Sequence, residues 1–209
     1  MSEPSFEPVP EAPRLILASA SESRRGVLER AGIPATVEPA AVDEQETKTS
    51  LRAAGASASQ AAETLAELKA QRVARNRPGA LVIGADQMLE CEGAWFDKPR
   101  DRAEAAAQLR ALSGRSHALL TGVCLVRDAT RLWHHNAVAR LTMRSLDEAF
   151  IEAYLDALGE AAYRSVGAYQ IEGLGAQLFE RIEGDHFAIL GLPLLPLLAI
   201  LREHGVVAR

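Results

Sequence analysis

An α/β protein with a mixed central sheet is the fold class this sequence predicts, and three observations predict it. Two short apolar runs, residues 14–19 and 80–85, end in small or acidic residues and read as buried strands. Helical segments with start and stop signals lie around them. Between His117 and Arg144 two strand-like segments follow each other directly. That makes a hairpin, and it breaks the regular alternation of a doubly wound parallel sheet.

Each element follows in order. Residues 1–13 are acidic and proline-rich, which predicts a disordered extension, and they lack the basic start and apolar core of a signal peptide. Residues 14–19 form the first strand. A helix from about Ser23 to Ala31 is stopped by Gly32 and Pro34. Residues 35–50 are mixed in pattern, with an acidic cluster at Asp43, Glu44 and Glu46. A long helix spans Ser57 to Asn76, with Ala61, Leu65, Leu68 and Val73 as its apolar face, and Pro78-Gly79 ends it. The second strand covers residues 80–85, with Asp86 at its C-terminal end, and residues 91–94 read as a turn between two short strands. Asp101 and Glu104 make a capping box for a helix that ends at Ser113-Gly114. The hairpin follows, from residues 117–127 to 131–144. Ser145 and Glu148 make a second capping box before a helix to Leu158. A glycine-rich stretch over 167–191 leads to a last helix near residues 197–204, closed by Gly205. Residues 14–209 read as a single domain.

The composition sets bounds on function. With 209 residues, 48% apolar and 24% charged, the chain buries a core without disulfides or metal staples. A net charge of -5 argues against a nucleic-acid partner. Small anionic substrates remain open, because a cleft can be locally basic in an acidic protein. Cys91 and Cys124 have neither Cys-x-x-Cys nor zinc-ligand spacing. A disulfide between them is conceivable, but they read as buried small hydrophobes in a reducing compartment. The most apolar stretch, residues 187–201, is interrupted by Pro193 and Pro196 and is short for a membrane span. The expectation is a cytoplasmic protein with no membrane partner.

Several residue groups can carry chemistry. After the first strand come Ala18-Ser-Ala-Ser-Glu-Ser-Arg-Arg25 and a helix N-terminus. Small residues let a phosphate approach the backbone, the helix end favours an anion, and Arg24 can clamp it; a capped helix with a surface arginine has the same pattern. Asp86, in Gly84-Ala-Asp-Gln87, can hold Mg²⁺, can take a proton from a water attacking phosphorus, or can simply cap a turn. Lys98, before Pro99, and Lys69 on the long helix can neutralise phosphate charge or be solvated surface lysines. The Asp43–Glu44 cluster can add a metal ligand or be a solvated loop. Residues 167–175 carry three glycines but match no dinucleotide fingerprint; glycines there let the backbone line a base pocket, with Glu172 on a base edge. There is no G-x-S-x-G elbow and no Walker A sequence, and His117 beside Ser116 reads as structural.

Together these pieces resemble the Maf family of nucleotide pyrophosphatases, in the family's order and over nearly the whole chain. The matching segments are Leu17-Ala-Ser-Ala-Ser with Arg24-Arg25, Asp43-Glu44, Lys69-Ala70, Gly84-Ala-Asp-Gln87 and Lys98-Pro-Arg100. Leu112-Ser-Gly-Arg-Ser-His117, Thr121-Gly-Val123, Gly167-Ala-Tyr169, Glu172-Gly-Leu-Gly175 and Gly191-Leu-Pro193 complete them. The resemblance implies an elongated Maf/ITPase-like mixed sheet with flanking helices and two lobes around a cleft. It implies hydrolysis of a nucleoside triphosphate to monophosphate and pyrophosphate, helped by Mg²⁺ or Mn²⁺, and a homodimer. Asp86 falls on the family's catalytic carboxylate. Ser19, Arg24, Lys69 and Lys98 fall on phosphate-site positions, and Glu44 joins Asp86 at the metal.

Ser23, Gln87 and Glu172 fall where the family sets base specificity. They depart from the arginine, threonine and glutamine of the branch that resembles dTTP/UTP enzymes. Gln87 and Glu172-Gly-Leu-Gly175 look closer to the branch acting on 7-methyl-GTP, while Ser23 and residues 167–169 depart from that branch as well. The implied substrate is a triphosphate with a modified or purine-like base. The alternative is a nucleotide-binding regulator of cell division, since the family has been linked to septum formation.

Overall fold

The computed structural model describes residues 12–208. Of the expected N-terminal extension, residues 1–11 lie outside the described residues. In chain order the elements are β1 (Leu15–Leu17), α1 (Glu22–Arg30), β2 (Ala35–Val37), α2 (Glu44–Ala53), α3 (Ala58–Ala74), β3 (Leu81–Cys91) and β4 (Ala94–Phe96). Then come α4 (Arg102–Leu112), β5 (Ser116–Arg127), β6 (Thr130–Met143), α5 (Glu148–Leu158), β7 (Phe179–Glu183), α6 (His186–Ile189) and α7 (Leu194–Glu203). Short 3-10 turns fill residues 159–178.

Seven strands form one open mixed sheet in the order β2-β1-β3-β5-β6-β7, with β4 paired to β3. β1 runs parallel to both β2 and β3, and Leu17 sits opposite Ile83 in the last aligned pair with β3. β4 returns antiparallel on β3 through Glu92 and Gly93, whose φ of 50° and 79° suit a two-residue hairpin turn. Asp128 and Ala129, also at positive φ, make the same kind of turn between β5 and β6. The expected α/β class and the hairpin over 117–144 are both present.

The sequence reading needs four corrections. β3 does not stop at Ala85 but continues to Cys91, because its buried positions run on almost unbroken past the polar Asp86 and Gln87. Asp86 is therefore mid-strand. Residues 44–53 form a helix, although none of its side chains is buried and Leu51 is its only large apolar residue. Its start is set by Asp43, whose carboxylate accepts the Glu46 N–H at 2.9 Å. α5 is capped by Asp147, accepting from the Phe150 N–H, and not by Ser145. Finally, residues 179–183 form β7, an edge strand on β6, with a register shift at Thr142/Met143.

The chain divides into two compact units. The first takes in the described residues up to Asp86, Thr121–Ala137 and the described residues from His186 on; the second takes in Gln87–Leu120 and Val138–Asp185. In the first, Ile16, Ala18, Ala66, Ala70, Val73, Val82, Cys124 and Val126 share one buried cluster. α3 opens on a full capping box between Ser57 and Gln60. It turns Ala61, Ala62, Leu65, Ala66, Lys69 and Ala70 inward, while Leu68, expected on its apolar face, is 38% exposed. Two strand glycines let this helix lie close: a Cβ on Gly84 would sit 2.0 Å from the Ala66 carbonyl oxygen, and one on Gly122 would sit 2.7 Å from Ala62 C. In the second unit α4 and α5 are joined by the Arg110–Glu148 and Arg102–Glu152 ion pairs. Among the described residues no helix is long and apolar enough to cross a membrane. Both cysteines are free and buried.

Candidate active site

The site grows from the place where β1 ends. Ala18 donates its N–H to Ile83 O at 2.8 Å, and the chain then turns into α1. β3 runs on beyond that last pairing, so Asp86 occupies the gap its shorter neighbour leaves. Strand alternation puts Gly84 and Asp86 on one face. That is the face α3 covers: Ala66 and Ala70 lie against Gly84. Lys69, from the same helix, reaches Asp86, with Nζ at 2.5 Å from Oδ1.

Lys69 has a second carboxylate partner. Its Nζ lies 2.7 Å from Glu44 Oε1, in the first turn of α2. The Lys69 and Asp86 side chains are 8% and 6% exposed, whereas Glu44 is 45% exposed. Burial tends to raise the Glu44 carboxyl, but Lys69 beside it, helped by Lys48 and Arg24, outweighs that, and the net shift is downward. Glu44 is therefore ionised throughout the neutral range. Asp86 Oδ2 is buried and has no hydrogen-bond partner among the described residues. An orphaned carboxylate oxygen in the interior is costly unless something binds it.

Arg24 completes the cluster. Its Nη1 donates to Ser19 Oγ at 2.9 Å and its Nε donates to the Gly191 carbonyl at 2.8 Å. Burial pulls the guanidinium pKa down, while Asp86 and Glu44 oppose that shift. Gly191 has φ of 89°, and a Cβ there would stand 3.1 Å from Arg24 Nε, so glycine permits the close approach. Ser19 Oγ also accepts from the Ser21 N–H, and Ser21 Oγ accepts from the Arg24 N–H as the α1 cap. Each hydroxyl thus accepts within the fold and keeps its O–H to donate elsewhere.

Five expected residues, Ser19, Arg24, Glu44, Lys69 and Asp86, come together in the first unit. Ser23 is exposed on α1. Gln87, Lys98 and Glu172 belong to the second unit: Gln87 is half-buried on β3, Lys98 is exposed beyond β4, and Glu172 is exposed before the 3-10 turn at Leu174–Leu178. The glycines expected to line a base pocket have local packing roles. Gly167 is at φ of 76°, and a Cβ on Gly175 would sit 2.4 Å from the Gln170 carbonyl oxygen. The Gly191 carbonyl is a partner that the residue-by-residue reading missed. Its only signal was the Gly191-Leu-Pro193 segment, to which no role was attached.

His117 belongs to the second unit. It is 3% exposed, its Nε2 is 2.8 Å from the Tyr169 hydroxyl, and its Nδ1 has no partner among the described residues. Burial pushes its pKa from 6.5 down to about 4. The folded chain holds the neutral ring while the unfolded chain protonates it below 6.5. Stability is therefore full above that pH and declines as pH falls toward 4, by up to about 3 kcal/mol. Urea titrations at pH 7 and pH 5 should show this loss, and His117→Gln should be less sensitive to pH. Equal slopes in both proteins would remove His117 as the cause.

Two buried cations, a buried carboxylate and a half-exposed one in a single cluster can clamp a phosphate and hold a cation. Among the described residues no three His, Cys, Asp or Glu side chains form a metal cage. Glu44 and Asp86 supply two carboxylates with an uncommitted oxygen, a donor set that suits an ion such as Mg²⁺, which retains waters and binds substrate phosphates.

The sequence matches the Maf-like protein family over residues 14–204. It is 57% identical over 190 residues to a nucleoside triphosphate pyrophosphatase of Paramagnetospirillum magneticum, spanning 91% of this chain and 98% of that protein. It is 55% identical over 191 residues to the protein of the same name from Granulibacter bethesdensis, spanning 91% and 97%. To the 7-methyl-GTP pyrophosphatase of Rhizobium meliloti it is 51% identical over 195 residues, spanning 93% and 98%. With the match running from β1 through the last turn of α7, and every residue of the buried cluster inside it, this chain belongs to the Maf-like protein family.

Proposed function

We propose that this protein hydrolyses a nucleoside triphosphate between its α- and β-phosphates, releasing the monophosphate and pyrophosphate. One observation carries the reading. It is the cluster of buried Arg24, Lys69 and Asp86 with half-exposed Glu44, in which Asp86 keeps an unpartnered oxygen. The names of its relatives, nucleoside triphosphate pyrophosphatase and 7-methyl-GTP pyrophosphatase, support the same chemistry.

In this reading Asp86 is the base. Its Oδ2 accepts a proton from the water whose oxygen bonds to the α-phosphorus, and the bond from that phosphorus to the bridging oxygen breaks as pyrophosphate leaves. Arg24, fixed by Ser19 and Gly191, neutralises phosphate charge from a rigid position. Lys69 and Lys98 add mobile positive charge toward the departing pyrophosphate. Glu44 and Asp86 hold Mg²⁺ or Mn²⁺, which when bound supplies further neutralisation of the phosphates. Ser23, Gln87 and Glu172 set the base, which we take to be purine-like or modified, 7-methyl-GTP included.

The setting follows from the same residues. Free buried thiols at Cys91 and Cys124 support a reducing cytoplasm. The net charge of -5 supports free nucleotides, not nucleic acid, as partners. The family supports a homodimer, which light scattering would check. The deciding experiment is product analysis on a panel of normal and modified nucleoside triphosphates with Mg²⁺ or Mn²⁺. Pyrophosphate with a monophosphate is the expected result. Orthophosphate with a diphosphate would overturn it, and absence of turnover on the whole panel would favour a nucleotide-binding regulator.

A further inference from the structure

We propose that, without nucleotide, the Lys69 ammonium occupies the divalent-cation position of this site, so that the metal enters together with the triphosphate while Lys69 moves to a phosphate oxygen. This deepens the reading above and rests on Glu44 and Asp86 being the cation ligands. A single Nζ contacts both carboxylates, at 2.7 Å and 2.5 Å. Those are the two side chains a metal would need. A second cation in contact with the same oxygens meets strong repulsion in a buried site.

Lys69 and Arg24 differ in how firmly they are held. Arg24 is tied on two sides, by Ser19 Oγ and the Gly191 carbonyl, and is hydrogen-bonded to neither carboxylate. Lys69 is tied only to the carboxylates themselves, through a flexible four-carbon stem with rotatable donors. One cation is fixed and the other can move. The ammonium also satisfies the site incompletely, since Asp86 Oδ2 stays unpartnered. Half-exposed Glu44 gives the exchange a route from solvent. Charge sets the order of events. The resting cluster carries two positive and two negative groups, so a lone divalent ion leaves it strongly positive. A metal–triphosphate, which is net negative, brings the ion and also gives Lys69 a new partner.

The test is a Mn²⁺ titration without nucleotide, with the free ion followed by its electron paramagnetic resonance signal. Wild type should bind weakly. Lys69→Met should bind about tenfold more tightly or better, since an opposing unit charge at contact distance has been removed. Lys69→Arg, which keeps the charge, should stay as weak as wild type. Arg24→Met removes a charge that contacts neither carboxylate, and should raise affinity less than Lys69→Met does. Adding Glu44→Gln to Lys69→Met should abolish the gain. Circular dichroism checks folding, and Lys69→Gln, a neutral hydrogen-bond donor, replaces the methionine variant if that one unfolds. No gain in the neutral variants, or an equal gain with Arg24→Met, would overturn the proposal. Pyrophosphate release by wild type is scored separately, so the enzyme reading can survive the failure of this one.

Discussion

Asp86→Asn should lower pyrophosphate release by about 100- to 10,000-fold while leaving the fold intact, because the amide matches the carboxylate in shape but cannot accept the proton of an attacking water. Three features concentrate the effect at this residue. Its Oδ2 is buried and unpartnered, its Oδ1 holds Lys69, and both lie where β3 outruns β1. The loss should fall mainly on kcat, since Arg24, the proposed phosphate contact, is untouched, while any rise in KM would report the proposed metal ligation through Asp86. Steady-state kinetics with circular dichroism as a folding control would measure it. Full turnover by the folded variant would remove Asp86 from the role of base.

The second large effect is on stability. Gly84→Ala should cost about 3 kcal/mol or more, because its new Cβ would meet backbone, which cannot swing aside as a side chain does. The contacts would be 2.0 Å to the Ala66 carbonyl oxygen, 2.8 Å to Ala70 Cβ and 2.9 Å to Ala66 C. Relief requires α3 to lift from the sheet, and α3 carries Lys69, so activity should fall with stability. Gly93→Ala is the contrast. It has φ of 79°, but a Cβ there would meet nothing within 4 Å, so only the backbone penalty of about 1 kcal/mol applies. Urea unfolding of the two variants beside wild type separates the cases, and equal midpoints would mean that α3 is not seated as described.

The same contacts explain what could and could not be read from sequence. β1, α3, α4 and the hairpin were legible because local signals agree there: apolar runs, capping side chains and turn residues. α2 was not, because Glu44–Ala53 buries no side chain and Leu51, its only large apolar residue, cannot mark a face by itself. β7 was missed for a related reason, since four of its five residues are exposed on a sheet edge. The length of β3 was lost at Asp86 and Gln87, where two polar residues interrupt the apolar run. At the site, motif order brought out Ser19, Arg24, Glu44, Lys69 and Asp86. It could not show that one ammonium joins two carboxylates from different elements, nor that Arg24 is held by a backbone carbonyl. Such contacts are made by packing, and a carbonyl carries no residue identity.

The bond from Arg24 to the Gly191 carbonyl spans 167 positions of sequence. An early helix thus waits on the last turns of the chain for the acceptor that fixes its guanidinium. Thr121 reaches the same late segment, donating to the Ala188 carbonyl at 3.0 Å. During synthesis from the N-terminus, then, β1 to β6 and α3 are available well before Arg24 can meet its acceptor. A chain released short of residue 191 would keep all four charged groups of the cluster and still lack the acceptor that fixes Arg24. Synthesis of the segment around Gly191 is in that sense the step that locks the Arg24 side chain in place.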